Sequence, residues 1–188
     1  MDKDAKEAAR AELVGQILAA LEKALDEAKR SLFSRDKKRL ARARKALKSG
    51  VGSSLSLLEE AAAQKETVQT LRQLGTAAED LMRQMGAALE GDISFTEDAA
   101  SELSEVMALV KDAARDAGDA LAAKSSRFRE YVLSTVCRIV ERMEEYSACH
   151  EGCLVAGMRP PAASFLYLDV MGSLKRMAVD LATVAQDA

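Results

Sequence analysis

The chain has 188 residues, with 27 Lys and Arg against 30 Asp and Glu for a formal net charge of -3. A chain of this length can bury about 70% of its unfolded surface, so its core needs no metal or disulfide, and a small negative total excludes a global attraction for nucleic acid. No run of about 18 predominantly apolar residues free of charge occurs, which excludes a membrane-spanning helix. Only 4% of residues are aromatic, Trp is absent and there are two prolines. Ala, Leu, Glu, Lys and Arg dominate between them, the composition of a long-helix protein, so an all-α bundle is expected.

From Ala5 to Leu32, Val14, Ile17, Leu21, Leu25 and Ala28 keep steps of three and four, which predicts a first amphipathic helix. Phe33-Ser34 is expected to break it, with Ser34 as a candidate cap and Asp36 in the first turn of the next helix. Leu40, Leu47, Val51, Leu55, Leu58 and Ala62 carry a second seam, which Gly50, Gly52, Ser53 and Ser54 should loosen without ending. Little turn chemistry marks Ala63 to Glu66, but the seam restarts at Leu71, Leu74, Ala78, Leu81 and Met85. Gly86 and then Gly91-Asp92 should end this third helix. Ser94 to Glu97 has the spacing of a capping box, in which each side chain satisfies the other's backbone N–H.

Leu103, Val106, Val110, Ala113, Ala117 and Leu121 predict a fourth helix, and Lys124-Ser125-Ser126 a turn. The fifth helix follows with Phe128, Val132, Ile139, Met143, Tyr146 and His150, ending near Gly157. Pro160 and Pro161 stop a helix from running on, and Ser164 is the expected cap of the sixth. Its seam is Leu168, Met171, Leu174, Ala178, Leu181 and Ala185. Six helices fall into two sets of three with similar lengths, which suggests a duplication. The third and sixth seams align, Leu74, Ala78, Leu81 and Met85 beside Met171, Leu174, Ala178 and Leu181.

Few residues offer chemistry. Cys149, His150 and Cys153 invite a zinc reading, but the spacing is wrong for a zinc finger, and Cys137 lies more than three turns away. Core cysteines and a hydrogen-bonded packing histidine on the fifth seam are expected instead. Three cysteines in a chain without a basic, apolar leader lead us to expect a reducing, cytoplasmic setting. The sharper feature is the segment 35–48, RDKKRLARARKALK, where Asp36 is the one acid. Arg35, Lys38, Arg39, Arg42 and Lys45 fall along one side of a helix, a stripe able to hold anionic lipid headgroups or an acidic partner surface. The alternative is a solvated face that serves solubility. No aromatic side chains interleave the stripe, which argues against single-stranded nucleic acid. No glycine-rich phosphate loop, Ser-His-Asp spacing or ferritin-type Glu-x-x-His pair is present, so no cofactor and no enzyme activity are expected.

Cys149-His150, Leu154 with Gly157, Ser164, Leu168-Asp169 and Leu174-Lys175-Arg176 follow one another in a familiar order, and Ile93-Ser94-Phe95-Thr96-Glu97 opens the second half. In this order the chain resembles the PhoU-like domain of the cytoplasmic region of sodium/phosphate cotransporters. The resemblance implies six helices as two tandem three-helix bundles, residues 1–91 and 92–188. It also implies a non-enzymatic regulatory module of phosphate transport, acting by contact with the inner face of a membrane phosphate transporter. Its place would be cytoplasmic, or peripheral to the inner face of the plasma membrane, and a homodimer is left open. The family's acidic metal clusters are not matched: Glu79 is followed by Arg83, and Lys175 and Val179 stand at the corresponding positions after Leu174. No metal is expected there. The alternative function is a generic helical adaptor or dimeric scaffold unrelated to phosphate.

Overall fold

In a computed structural model the chain forms six helices, and no strand occurs among the described residues, 3–61 and 65–186. They are α1 (Lys3–Ser34), α2 (Lys37–Glu60), α3 (Lys65–Glu90), α4 (Glu97–Ala123), α5 (Ser126–Val155) and α6 (Pro161–Gln186). Ala62, expected to close the second seam, and Ala63 lie outside the described residues.

The helix boundaries follow local chemistry that differs in detail from the seams. The first helix runs through Phe33-Ser34, and Arg35 ends it in the left-handed region at φ 52° with its N–H donating to the Ser31 carbonyl. Asp36, not Ser34, caps α2: it has extended backbone and its carboxylate accepts from the Arg39 N–H at 2.9 Å. Gly86 sits inside α3, which continues to Glu90. Thr96 caps α4 by accepting from Ala99 N–H, so the Ser94–Glu97 capping box does not form. At α6, Pro161 occupies the first helical position, where its missing N–H costs nothing. Ser164 therefore lies within the first turn, buried, and does not cap the helix.

Eight helix pairs pack: α1 with α2, α3 and α4; α2 with α3; α4 with α5 and α6; α5 with α6; and α3 with α6. Four helices, α1, α3, α4 and α6, thus close a ring, with α2 outside against α1 and α3 and α5 outside against α4 and α6. Exchanging α1 with α4, α2 with α5 and α3 with α6 leaves the set of packed pairs unchanged. One apolar core draws on all six helices.

Position in the ring explains the width of each apolar face. In α6, which touches three neighbours, Tyr167, Val170, Met177 and Val184 are buried beyond the expected stripe, while Leu168 is only partly covered. Outer α5 buries little besides Val132, Val136, Ile139, Met143 and His150. Helix α2 stays continuous through Gly50 and Gly52 because Val51 and Ser54 are held against its neighbours. Among the glycines the tightest site is Gly75 of α3, where an added Cβ would meet Val51 Cγ1 at 2.8 Å. Polar ties join the halves as well: Ser173 Oγ donates to Gln84 Oε1 at 3.0 Å in the interior, and Lys111 pairs with Asp26 at 3.1 Å.

Candidate functional site

The turns after α1, α3 and α5 lie together at one end of the bundle. Arg35 crosses from the first turn to the second, with NH1 donating to Ser94 Oγ at 2.8 Å and NH2 to Asp92 Oδ1 at 2.6 Å. Asp92 is itself left-handed, at φ 53°. Two strained residues thus brace each other across the α1–α2 and α3–α4 turns.

Beneath this brace lies a polar cluster built on α4, α5 and α6. His150, 2% exposed, sits in the last turns of α5 with Nε2 2.9 Å from Glu102 Oε2 of α4. The Tyr167 hydroxyl of α6 donates to the same carboxylate oxygen at 2.7 Å. The His150 and Tyr167 rings stack with centroids 3.5 Å apart at 12°. Arg159, in the α5–α6 turn, places NH1 2.8 Å from His150 Nδ1 and 2.7 Å from Nε2, and only a nitrogen that carries no proton can accept from it. Glu102 requires a donor on Nε2, so Nδ1 keeps its lone pair and accepts from the guanidinium. Burial, opposed by the Glu102 hydrogen bond and helped by the Arg159 charge, pushes the imidazole pKa down and keeps the ring neutral. Burial together with Glu102 pushes the Tyr167 hydroxyl pKa up, so it stays a donor. Both ring nitrogens of His150 are committed, which leaves no lone pair to take a proton from a substrate.

A cavity of about 130 Å³ opens beside the cluster, between the Thr96 cap of α4 and the first turn of α6. Phe95, Ala99, Pro160 and Ala163 make most of its wall apolar, and Ser94, Thr96, Arg159 and Ser164, with the buried His150 and Tyr167 behind them, are its polar residues; no carboxylate is among the described residues that line it. The Ser164 hydroxyl, buried to 2% exposure, has no hydrogen-bond partner among the described residues.

The cysteines are not core residues. Cys137 and Cys149 are exposed and Cys153 is half-buried, all as free thiols, because they fall beside the Val136, Ile139, Met143 and His150 seam. Among the described residues, no group of three or more His, Cys, Asp and Glu side chains is placed to hold a metal ion.

The five basic residues singled out in the sequence do not form one free stripe. Arg35 is engaged by Asp92 and Ser94, and Arg39 reaches back to Glu27 of α1 with a forked contact. That pairing draws the Glu27 carboxyl pKa down. Lys38, Arg42 and Lys45 remain exposed and pair with no carboxylate among the described residues. The structure adds Lys37, Arg44 and Lys48, also without an ion pair, along the edge of α2 that faces α3. With Lys45 and Arg83 they line a groove of about 540 Å³ whose floor is Leu40 and Met82. The helical wheel already carries Lys37, Arg44 and Lys48 next to the Leu40 and Leu47 seam; their groove is set by where α3 lies.

Among the described helices, none is long and apolar enough to cross a membrane. Compared with family models, curated proteins and solved structures, the chain matches none.

Proposed function

We propose that this chain is a non-enzymatic, PhoU-like regulatory module that lies against the inner, cytoplasmic face of a membrane phosphate transporter and adjusts or reports its activity. The observation that carries the contact is six cations of α2 that pair with no carboxylate among the described residues, Lys37, Lys38, Arg42, Arg44, Lys45 and Lys48, concentrated on one helix of a chain whose net charge is -3. Unpaired cations grouped this way raise the local potential and steer association with an acidic surface. The order of the Ile93–Glu97, His150, Ser164 and Leu168-Asp169 elements, and a packing pattern unchanged by exchange of the two halves, support the phosphate-transport part of the reading. Division into bundles 1–91 and 92–188 belongs to the same reading.

Pull-down against the inner-face loops of a sodium/phosphate carrier, with wild type and the K38E/R42E/K45E variant, tests it. Loss of capture in a variant with unchanged melting temperature is expected. Equal capture would sink the contact surface. Sedimentation with neutral and anionic vesicles runs beside it, and binding to anionic vesicles alone would make lipid the acidic surface that α2 meets.

A second reading, a helical adaptor or dimeric scaffold, is favoured by Phe33, Val155, Met158 and Phe165, which are 59–90% exposed in or beside the turns at one end of the bundle. Large side chains grouped this way mark contact surfaces. A dimer by light scattering, reduced to monomer by F165S, would support it.

A further inference from the structure

The cavity between α4, α5 and α6 has more donors than acceptors. Ser94 Oγ already accepts from Arg35, and Thr96 Oγ1 from the Ala99 N–H, so each hydroxyl has its own proton to give. Arg159 spends NH1 on His150 and pairs with no carboxylate among the described residues, which leaves guanidinium N–H groups over the cavity wall. His150 and Tyr167 direct their protons at Glu102, which is not part of the lining. The nearby carboxylate is therefore already engaged, and the wall carries one positive charge.

Two independent features point to an acceptor that is still to come. The first is the start of α6, a helix of 26 residues whose first turn lines the cavity. Pro160 precedes it and offers no side-chain acceptor, so the N–H groups of Ala162 and Ala163 lack the cap that Asp36, Thr96 and Ser125 give α2, α4 and α5. The second is Ser164 Oγ, buried and unpartnered. An unsatisfied buried hydroxyl is costly, and here it belongs to a residue that lines the cavity together with Ala163 of the uncapped turn and Arg159. The volume of about 130 Å³ has room for several water-sized groups.

We propose that this cavity binds one tetrahedral oxyanion of the phosphate class, with Arg159 supplying the charge and the Ser164 and Thr96 hydroxyls and the first-turn amides of α6 supplying the hydrogen bonds. Helix N-termini and arginine forks are the two protein groups best matched to such an ion. The inference requires nothing of the α2 surface.

Titration calorimetry and thermal shift with inorganic phosphate, against chloride at equal ionic strength, test it on the full chain. Expected are saturable one-to-one binding and a phosphate-dependent rise in Tm. Arg159→Gln should weaken binding at least about tenfold, as for loss of a charge-assisted contact. Ser164→Ala should raise or leave unchanged the Tm in phosphate-free buffer, because it removes the orphaned hydroxyl, and should shrink the phosphate increment. If Arg159→Gln does not fold, Ser164→Ala decides alone. No saturable binding beyond the chloride control, or wild-type binding by Ser164→Ala, would overturn the site and leave the cavity to water. Vesicles containing phosphatidate form a second arm: competition with inorganic phosphate assigns the ion to a lipid headgroup, and no competition to the free ion. The K38E/R42E/K45E variant should bind phosphate as wild type does, which separates this site from the α2 contact.

Discussion

Gly75→Ala places a single methyl group where two helices already touch, and two opposing effects decide its sign. In a helix interior Ala is better than Gly by about 1 kcal/mol, so an unencumbered site would be stabilised. Here the new Cβ meets Val51 Cγ1 at 2.8 Å, inside the distance real Cβ contacts tolerate. Val51 is 6% exposed, and its χ1 in a helix is almost fixed by β-branching, so it cannot swing aside. Overpacking of this kind costs about 1–3 kcal/mol. The net is expected to be a loss of about 1 kcal/mol, or about 2–4 °C in Tm for a chain of this size. Urea melts of wild type, Gly75→Ala, Val51→Ala and the double variant separate the two terms. In the Val51→Ala background the clash is gone and Gly75→Ala should stabilise by about 1 kcal/mol. The same substitution thus changes sign between backgrounds, a coupling that distant sites do not show. Stabilisation of the wild type by Gly75→Ala would refute the claimed contact between α2 and α3.

Lys124 caps α4 at φ 47°, a conformation that costs a non-glycine residue about 1–2 kcal/mol, while its pair with Glu7 is exposed and worth at most about 1 kcal/mol; Lys124→Gly should therefore raise Tm, as calorimetry would show. His150 has its pKa pushed below the ordinary 6.5 in the folded state, so at pH below about 6.5 the unfolded chain binds the proton first and folding loses stability as pH falls toward the depressed value. The stability gap between wild type and His150→Gln should accordingly narrow from pH 7.5 to pH 5, and a gap that stays constant or widens would contradict the neutral, doubly bonded ring. Removing Ser173 alone strands the buried Gln84 amide and should cost about 1–3 kcal/mol by urea melt. The S173A/Q84L pair should recover most of that loss, because neither buried polar group remains and Arg176, which also donates to Ser173 Oγ, keeps Asp80.

Apolar spacing located all six helices, since a stripe at steps of three and four is fixed by the chain alone. Terminal chemistry was less legible. Ser34, Ser94 and Ser164 are all good caps by residue type, but Arg35, Thr96 and Pro161 adopt the backbone that ends or starts the helix, and a one- or two-residue slip passes the cap to Asp36, to Thr96 or, at α6, to no side chain. The basic segment could be read as a patch. That Arg35 is spent on Asp92 and Arg39 on Glu27 could not, because both partners come from helices whose placement is a tertiary fact. Cys149, one residue before His150, falls off the apolar seam by helical spacing alone, and it is exposed. Arg159 lies in a turn without periodicity, so nothing in the spacing linked it to His150 or to Ser164.

The closed ring of α1, α3, α4 and α6 has a consequence for how the molecule comes apart. Leu18 of α1 lies against Gly118 of α4, and the Gln84 side-chain oxygen of α3 accepts from Ser173 of α6. A peptide ending at residue 91 would carry those surfaces bare to water, and so would its complement. Melting should accordingly be a single event with no half-folded plateau, and two separately produced halves, each poorly ordered on its own, should recover helicity when mixed.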